Sequence, residues 1–307
     1  MAAAAFLALC VAVAGPSVLE PADAAPNVLE PADAVPVDDR IEAALAAKLS
    51  GCEQVFIDAG ANIGMHARFL FEPEAYKNSS FISVFDSELG NATQRRKTTC
   101  AIEFEPNPEH KLRLSKLAAA YKKVGWRVVI APYGVGDRRS TLTFHSDVHS
   151  ANEDWGFGAR PTGADYGTLV KPVEVTMVDF PRFLQLLSER PPPSGGQLGK
   201  TVIKMDIESA EYTVIPSMIE RGSLCNHVDF ISVEWHARFA PIKFFDRHFG
   251  SSKSRDEAQQ LGGMLRDMVS DSAYACRTKG LKEIDDETYI HDLNDEQHEN
   301  PKPFAVL

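Results

Sequence analysis

Val55-Phe56-Ile57-Asp58-Ala59-Gly60-Ala61-Asn62-Ile63-Gly64 is the stretch whose reading decides the fold. It begins as a β-branched and aromatic run, the pattern of a strand buried on both faces. It then passes through an acid, two glycines and an asparagine, and a helical pattern follows at once, Met65 to Phe71. Strand, glycine-rich turn and helix form the opening unit of a doubly wound α/β sheet, in which ligands lie outside the carboxyl ends of the strands. Glycine there lets backbone approach a ligand with no Cβ in between.

The spacing is Asp-x-Gly-x-Asn-x-Gly, not Gly-x-Gly-x-x-Gly. A dinucleotide would set a pyrophosphate at this turn, where Asp58 repels it. S-adenosylmethionine carries no phosphate. Its ammonium and sulfonium are attracted by Asp58, so the turn favours this cofactor over NAD, with Asp58, Gly60, Ala61, Asn62 and Gly64 around the methionine part. The competing reading is a structural turn with a solvated acid, since a glycine-rich turn alone is a weak signal.

Outward from this stretch, Thr99 to Phe104 reads as the second strand and ends in Glu105-Pro106-Asn107-Pro108. A doubly wound fold grips ribose hydroxyls with an acid at that place, ordinarily about 20 residues after the turn. The interval here is longer, and the excess is an apparently irregular insertion at 72–98, whose Arg95-Arg96 pair suggests a surface excursion. Glu105, Pro106 and Asn107 are therefore expected at the ribose. Arg127 to Pro132 is a third strand. Its sequel Tyr133-Gly-Val-Gly136-Asp137 suits an adenine ring on bare backbone, with Asp137 accepting from the exocyclic amine; a plain tight turn fits nearly as well. Thr141 to His145 and Val170 to Val178 alternate and look antiparallel. Trp155, Phe157 and Tyr166, between them, are either packing or a substrate rim.

Thr201-Val-Ile-Lys204-Met-Asp206-Ile-Glu208-Ser-Ala-Glu211 is the second informative stretch, a fourth strand running into a helix. Acids at a helix start can serve the macrodipole, which accounts for Glu208 and Glu211. It does not account for Lys204 and Asp206 on a strand that should be buried. Val228 to Trp235 is a fifth strand, ending at Glu234 and His236. A helix over Asp256 to Val269 and a closing antiparallel hairpin over Cys276 to His291 complete the expected sheet. Arg40 to Leu49, capped by Asp38 or Asp39, is a short helix leading into the first strand.

The net charge of −11 argues against a nucleic-acid partner, which requires a basic footprint. The only charged side chains in residues 1–36 are Glu20, Asp23, Glu30 and Asp33, so the remainder stays acidic. Ala2 to Gly15 is apolar, too short for a comfortable membrane span, and Ala12-Val13-Ala14 fits a small-residue cleavage site. Residues 1–14 are expected to be a signal peptide, with a signal anchor or an organelle leader as alternatives. Residues 15–39 hold two copies of a ten-residue repeat, Pro16 to Ala25 and Pro26 to Val35, whose regular prolines make a tether rather than a helix. Residues 40–307 are expected to be one domain, with no integral membrane span in the mature chain. Cys52, Cys100, Cys225 and Cys276 allow three pairings, and a free core thiol at Cys100 is as good a reading. Asn78-Ser-Ser80 and Asn91-Ala-Thr93 are glycosylation sequons, meaningful in the secretory pathway lumen.

Phe56 to Gly64, Phe104 to Asn107, Gly134 to Asp137, Val178-Asp179 and Lys204 to Glu211, in that order, resemble the FkbM-type S-adenosylmethionine-dependent methyltransferases. The resemblance spans roughly 55–291. It implies a Rossmann-like class I methyltransferase fold, with a mostly parallel seven-stranded sheet and an antiparallel C-terminal hairpin, and O-methylation of a hydroxyl on a sugar, glycan or other natural product. The chain departs from the family at Ser209, where glycine is usual, and in the long insertion. Asp206 is then expected at the methyl region. His236 is the general-base candidate on pKa grounds, with a satisfied structural histidine as good a reading; Lys204 orients Asp206 or Glu234, and Glu208 and Glu211 complete the catalytic group. A divalent metal on Asp206 and Glu208 is compatible with the chemistry but not expected. The alternatives are a catalytically inactive lumenal carbohydrate-binding or scaffold protein on the same fold, and a nicotinamide oxidoreductase, which lacks its pyrophosphate turn here.

Overall fold

In the computed structural model, the chain falls into two units, residues 1–38 and 39–307. The structure describes residues 39–147, 157–159, 169–193, 196–236 and 276–282, with the single positions 260, 262, 263, 267 and 284. The leader and tether of 1–38, together with Trp155, Tyr166 and most of the expected 256–269 helix and 276–291 hairpin, lie outside these residues.

Helix α1 (Arg40–Lys48) leads into β1 (Gln54–Ala59), followed by α2 (Met65–Phe71). Asp39 precedes α1 without a side-chain capping bond, because its carboxylate is engaged by Arg182 at 2.9 Å. The insertion is not irregular: it forms α3 (Ser80–Leu89) and α4 (Ala92–Thr98), the second opened by a capping box between Asn91 and Gln94. Nor is Arg95 a surface residue. It is fully buried, and it donates to the carbonyls of Leu70 and Gly90 and to the Asp86 carboxylate. An apolar-looking helix face of Phe81, Phe85 and Leu89 packs inward around it, so the insertion contributes core.

Strand β2 (Thr99–Phe104) is followed by a single 3-10 turn (Pro108–His110), α5 (Lys111–Lys123) and β3 (Arg127–Ala131). The short β4 (Gly134–Gly136), β5 (Ser140–Asp147) and β6 (Leu169–Asp179) come next, then α6 (Phe180–Ser188). Strand β7 (Thr201–Met205), α7 (Glu211–Glu220), α8 (Ser223–His227), β8 (Phe230–Val233) and β9 (Lys279–Lys282) complete the described elements.

The main sheet runs β3-β2-β1-β7-β8-β9 with every pairing parallel. The order reverses between β1 and β7, which makes that gap the topological switch point. Its strands alternate between two cores. Val55, Ile57, Ala59, Ile102, Phe104, Ile203 and Met205 pack with α1, α6 and α7 on one face. Phe56, Ala101, Val202 and Phe230 pack with α2, α3 and α5 on the other. The expected antiparallel strands β5 and β6 do pair so, but in a separate three-stranded sheet, β4-β6-β5.

Among the described residues the main sheet has six strands, all parallel, and β9 joins it parallel to β8, whereas the rest of the expected hairpin lies outside the described residues. The reason for the direction of β9 is covalent. A Cys225–Cys276 disulfide brings the returning chain to the end of α8, just where β8 begins. Thr278 Oγ1 donates to the carbonyls of Leu224 and Val228. Entering at the same end as β8, the segment can only run parallel to it. The second disulfide joins Cys52 to Cys100, so Cys100 is no free thiol.

Candidate active site

A row of buried ionisable residues crosses the switch point. Counting along the sheet, Glu103 of β2, Asp58 of β1 and Lys204 of β7 stand at matched register positions, on the face shared with Phe56 and Val202. All three are buried. Lys204 Nζ donates to the Gly60 carbonyl at 2.9 Å and to Asp206 Oδ2 at 3.0 Å, and it lies 3.6 Å from Asp58 Oδ1. Burial opposes its charge, but Asp206 and Asp58 outweigh that and push its pKa up. Asp58 is raised by burial, against the pull of Lys204, to about 6. Glu103, buried and facing Asp58, is raised well above the usual carboxylate range. Asp58 thus pairs with Lys204 on one side and faces Glu103 on the other.

Asp58 is engaged within this row. It is fully buried, flanked by Lys204 and by His66 Nδ1 at 3.6 Å, and it does not line the cavity. On its face of the sheet the Asp58 carboxylate is covered by its neighbours and supports the turn through Lys204, which donates to the Gly60 carbonyl. Gly60, Ala61 and Asn62 do line the cavity. Gly60 has φ +84°, and a Cβ there would stand 1.7 Å from the Asp206 carbonyl oxygen, so this glycine permits the close approach of β1 to the end of β7. Gly64 lines nothing: its missing Cβ makes room for Leu114 and Leu117 of α5.

Beyond the strand ends is a cavity of about 230 Å³. One side is Gly60, Ala61, Asn62, Glu105 and Pro106; the other is Lys204, Asp206, Glu208, Glu234 and His236. Glu105 accepts from the amides of Asn62 at 2.6 Å and Asn107 at 2.7 Å. Burial pushes it up to about 8, against those two hydrogen bonds. Asn107 is buried and caps the 3-10 turn through Glu109 N, so it positions Glu105 and does not line the cavity. Gly136 and Asp137 are likewise outside the lining, where Tyr133, Gly134 and Val135 stand instead. A Cβ on Gly136 would press on Met177 of β6, and the Asp137 carbonyl accepts from Ser217 and Arg221. Phe144 and Met177 of the small sheet, with Phe157 packed on Phe144, form an apolar wall. Of these, the sequence pointed only to Phe157; the others come from alternating strands whose facing is not written locally.

His236 carries the densest contacts. Its Nδ1 is 3.2 Å from Glu211 Oε1, and its Nε2 is 3.3 Å from Glu234 Oε1 and 3.6 Å from Asp206 Oδ1. Burial lowers its pKa, but the hydrogen bonds to Glu211 and Glu234 outweigh that and raise it to about 12. Its ring is thus held between Glu211 on one side and Glu234 and Asp206 on the other. Glu211 is fully buried behind the ring and also accepts from Ile207 N at 2.7 Å; it does not line the cavity. Glu234, missed as a site residue in its own right, is signalled by its place at the end of the fifth strand.

Residues 58–256 match the model of the methyltransferase FkbM domain. A solved structure, the methyltransferase FkbM from Methylobacillus flagellatus KT, is 13% identical, with the match covering 56% of this chain and 30% of that one at a TM-score of 0.29. No curated protein matches.

Ser209 stands in the turn between β7 and α7 with φ 82°, next to Glu208 at φ 54°, a region that costs a residue with a Cβ on the order of 1–2 kcal/mol. Its hydroxyl donates to the His236 carbonyl at 2.7 Å, a bond worth about 1 kcal/mol. Ser209→Gly relieves strain as it loses the bond and is expected to leave stability within about 1 kcal/mol. Ser209→Ala loses the bond and keeps the strain, and should be the less stable of the two by chemical denaturation. The reverse order would show that the turn is not strained.

Proposed function

Because the chain belongs to the FkbM methyltransferase family, we propose that it transfers a methyl group from S-adenosylmethionine to a hydroxyl of a sugar, glycan or other natural product. The observation that carries this reading is the cavity at the switch point, with a glycine turn and a strand-end acid on one side and a carboxylate-rich wall on the other. The residues fit the cofactor. The Asn62 Oδ1 at the turn is buried without a hydrogen-bond partner among the described residues. Glu105 stands where ribose hydroxyls are gripped in doubly wound folds. The wall of Asp206, Glu208 and Glu234 favours a cationic ligand and repels a pyrophosphate.

Bound there, S-adenosylmethionine supplies a methyl carbon on a sulfonium, open to in-line displacement by an oxygen lone pair. The chain's own part is to orient the acceptor and hold its proton. Lys204 fixes Asp206 through Oδ2 and leaves Oδ1 directed toward His236. Asp206 and Glu234 are the carboxylates within reach of an acceptor hydroxyl in the cavity. Phe144, Phe157 and Met177 offer the apolar surface on which a ring can lie.

Asp206→Asn keeps the shape and removes the charge. Turnover is expected to fall on the order of 10²-fold or more, with cofactor affinity changed by less than about tenfold. Strongly weakened cofactor binding with intact single-turnover transfer would move Asp206 to the cofactor site.

Glu105 gives a pH test. In the free protein it titrates at about 8, facing the amides of Asn62 and Asn107, with His110 Nδ1 3.9 Å away and Lys204 and Asp58 along the sheet. Accepting ribose hydroxyls requires the ionised form. Binding must therefore release a proton below that value, and affinity should rise with pH, by up to about tenfold per unit, and level off above 8. Glu105→Gln should flatten the profile. A flat profile in the unsubstituted chain would remove Glu105 from the ribose, and no binding at any pH would favour the non-catalytic scaffold.

We further propose the secretory lumen as the compartment. Both described disulfides suit an oxidising environment, and Asn78 and Asn91 are exposed. Among the described residues, no helix is long and apolar enough to cross a membrane. Intact-mass analysis of protein from a eukaryotic secretory host should show loss of residues 1–14 and glycan on Asn78 or Asn91. A full N-terminus without sugar would assign another compartment.

A further inference from the structure

The wall of the cavity beyond β7 and β8 is built unlike the rest of the site. Four carboxylates, Asp206, Glu208, Glu211 and Glu234, surround one ammonium, Lys204, and one imidazole, His236. Lys204 is committed to Asp206 Oδ2 and the Gly60 carbonyl. That leaves Asp206 Oδ1 and Glu234 Oε1 beside His236 Nε2, and each of these three residues offers a ligand atom within 4.8 Å of the others on the cavity wall. None of the three side chains is fully buried, so the point on which they converge is reachable from the cavity.

From this geometry we infer a divalent-cation site formed by Asp206, Glu234 and His236, for an ion of the Mn²⁺ or Zn²⁺ type, with its remaining positions facing the cavity. The spacing fits. Ligand atoms about 2.1 Å from one ion stand about 3 Å apart at right angles and about 3.4 Å apart at tetrahedral angles. His236 Nε2 lies 3.3 Å from Glu234 Oε1 and 3.6 Å from Asp206 Oδ1. The donor set is mixed, one imidazole with two carboxylates, which selects first-row divalent ions over Ca²⁺.

A separate feature, outside the three ligands, points the same way. Glu211 is fully buried behind His236 and presents Oε1 to Nδ1 at 3.2 Å. That oxygen also receives the Ile207 amide, so the carboxylate is fixed by the backbone. It sets the ring tautomer with hydrogen on Nδ1 and turns the Nε2 lone pair to the two acids, the arrangement in which a carboxylate orients a metal-binding histidine. Its other oxygen, Oε2, has no hydrogen-bond partner among the described residues. Glu208, first paired with Asp206 as a metal ligand on sequence grounds, is not in the converging set. The left-handed turn at Glu208 and Ser209 separates it from Asp206, and Glu234 arrives from the neighbouring strand in its place.

The competitor for the same space is a proton: an imidazolium on Nε2 satisfies the two carboxylates by itself. The site deepens the methyltransfer reading and rests on it for one point only, that the open positions face the acceptor's oxygen. The ion itself can be tested alone. The full chain, stripped with a chelator, is titrated with Mn²⁺ by calorimetry and electron paramagnetic resonance, with Zn²⁺ as competitor. One Mn²⁺ should bind per chain, and pulsed spectra should show coupling to a single imidazole nitrogen. Asp206→Asn, Glu234→Gln and His236→Gln should each weaken binding tenfold or more, and Glu211→Gln about 10–100-fold, whereas the exposed Glu220→Gln should not change it.

No saturable Mn²⁺ binding, or a bound ion without nitrogen coupling, overturns the site and leaves His236 as an imidazolium. The spectra need only the unsubstituted chain, so a variant that fails to fold does not blunt the test. S-adenosylmethionine is titrated in parallel with chelator present. Cofactor binding without Mn²⁺ binding sinks this inference alone, and Mn²⁺ binding without cofactor binding sinks the methyltransfer reading.

Discussion

A buried ammonium holds this molecule in working order. Lys204 sits at the switch point, where neighbouring strands send their helices to opposite faces and the sheet would otherwise gape. Its Nζ binds the Gly60 carbonyl and Asp206 and pairs with Asp58, so one cation fastens the turn after β1, the strand β1 and the segment after β7. Such a charge is tolerated only when it is paired and hydrogen-bonded. Removing one partner of a buried pair typically costs about 3–5 kcal/mol, comparable with a large part of a domain's net stability. The architecture near the cavity is thus bound to its electrostatics.

The same constraint orders the acids by depth. Glu103 and Asp58 lie fully buried and serve the sheet; Glu105 stands at the rim of β2, held by two backbone amides; Asp206, Glu208 and Glu234 face the cavity. One residue along a strand changes which face a side chain joins. Asp58 and Gly60 are two positions apart, yet one is interior and the other is cavity wall. Close approach does the remaining work. Because Gly60 has no Cβ, the Asp206 carbonyl can come against the turn, and the two halves of the site stand within reach of one ligand.

Elements far from the cavity set its outline. The small sheet, with Phe157 packed on Phe144, brings Phe144 and Met177 over the carboxylate wall. A Cβ on Gly158 would lie 3.3 Å from the Glu208 Cβ, so the same sheet presses on the β7–α7 turn. The insertion helices α3 and α4 enlarge the opposite core, where Phe81 and Phe85 pack beside His66 and Phe56. His66 in turn abuts Asp58, so the insertion reaches the charge row through one aromatic contact.

The sequence by itself determined the class of fold and the end of the sheet where a ligand binds. The run Val55 to Gly64 and its counterpart Thr201 to Glu211 carry local signals, β-branched strands broken by residues that only turns accept, and the family match over residues 58–256 agrees with them. It also marked Asp206, Glu105 and the Gly60 turn, because acids at strand ends are conspicuous. Only the tertiary structure decided which acids reach the cavity. Whether Asp58 lines it or stays buried beside it depends on the register of three strands and on a lysine 146 positions away. How the His236 ring is oriented depends on Glu211 and Glu234, which the fold brings to it. The direction of β9 depends on a disulfide whose partner no local pattern names. Charge and packing act through space over a few ångströms, and distance along the chain does not record them.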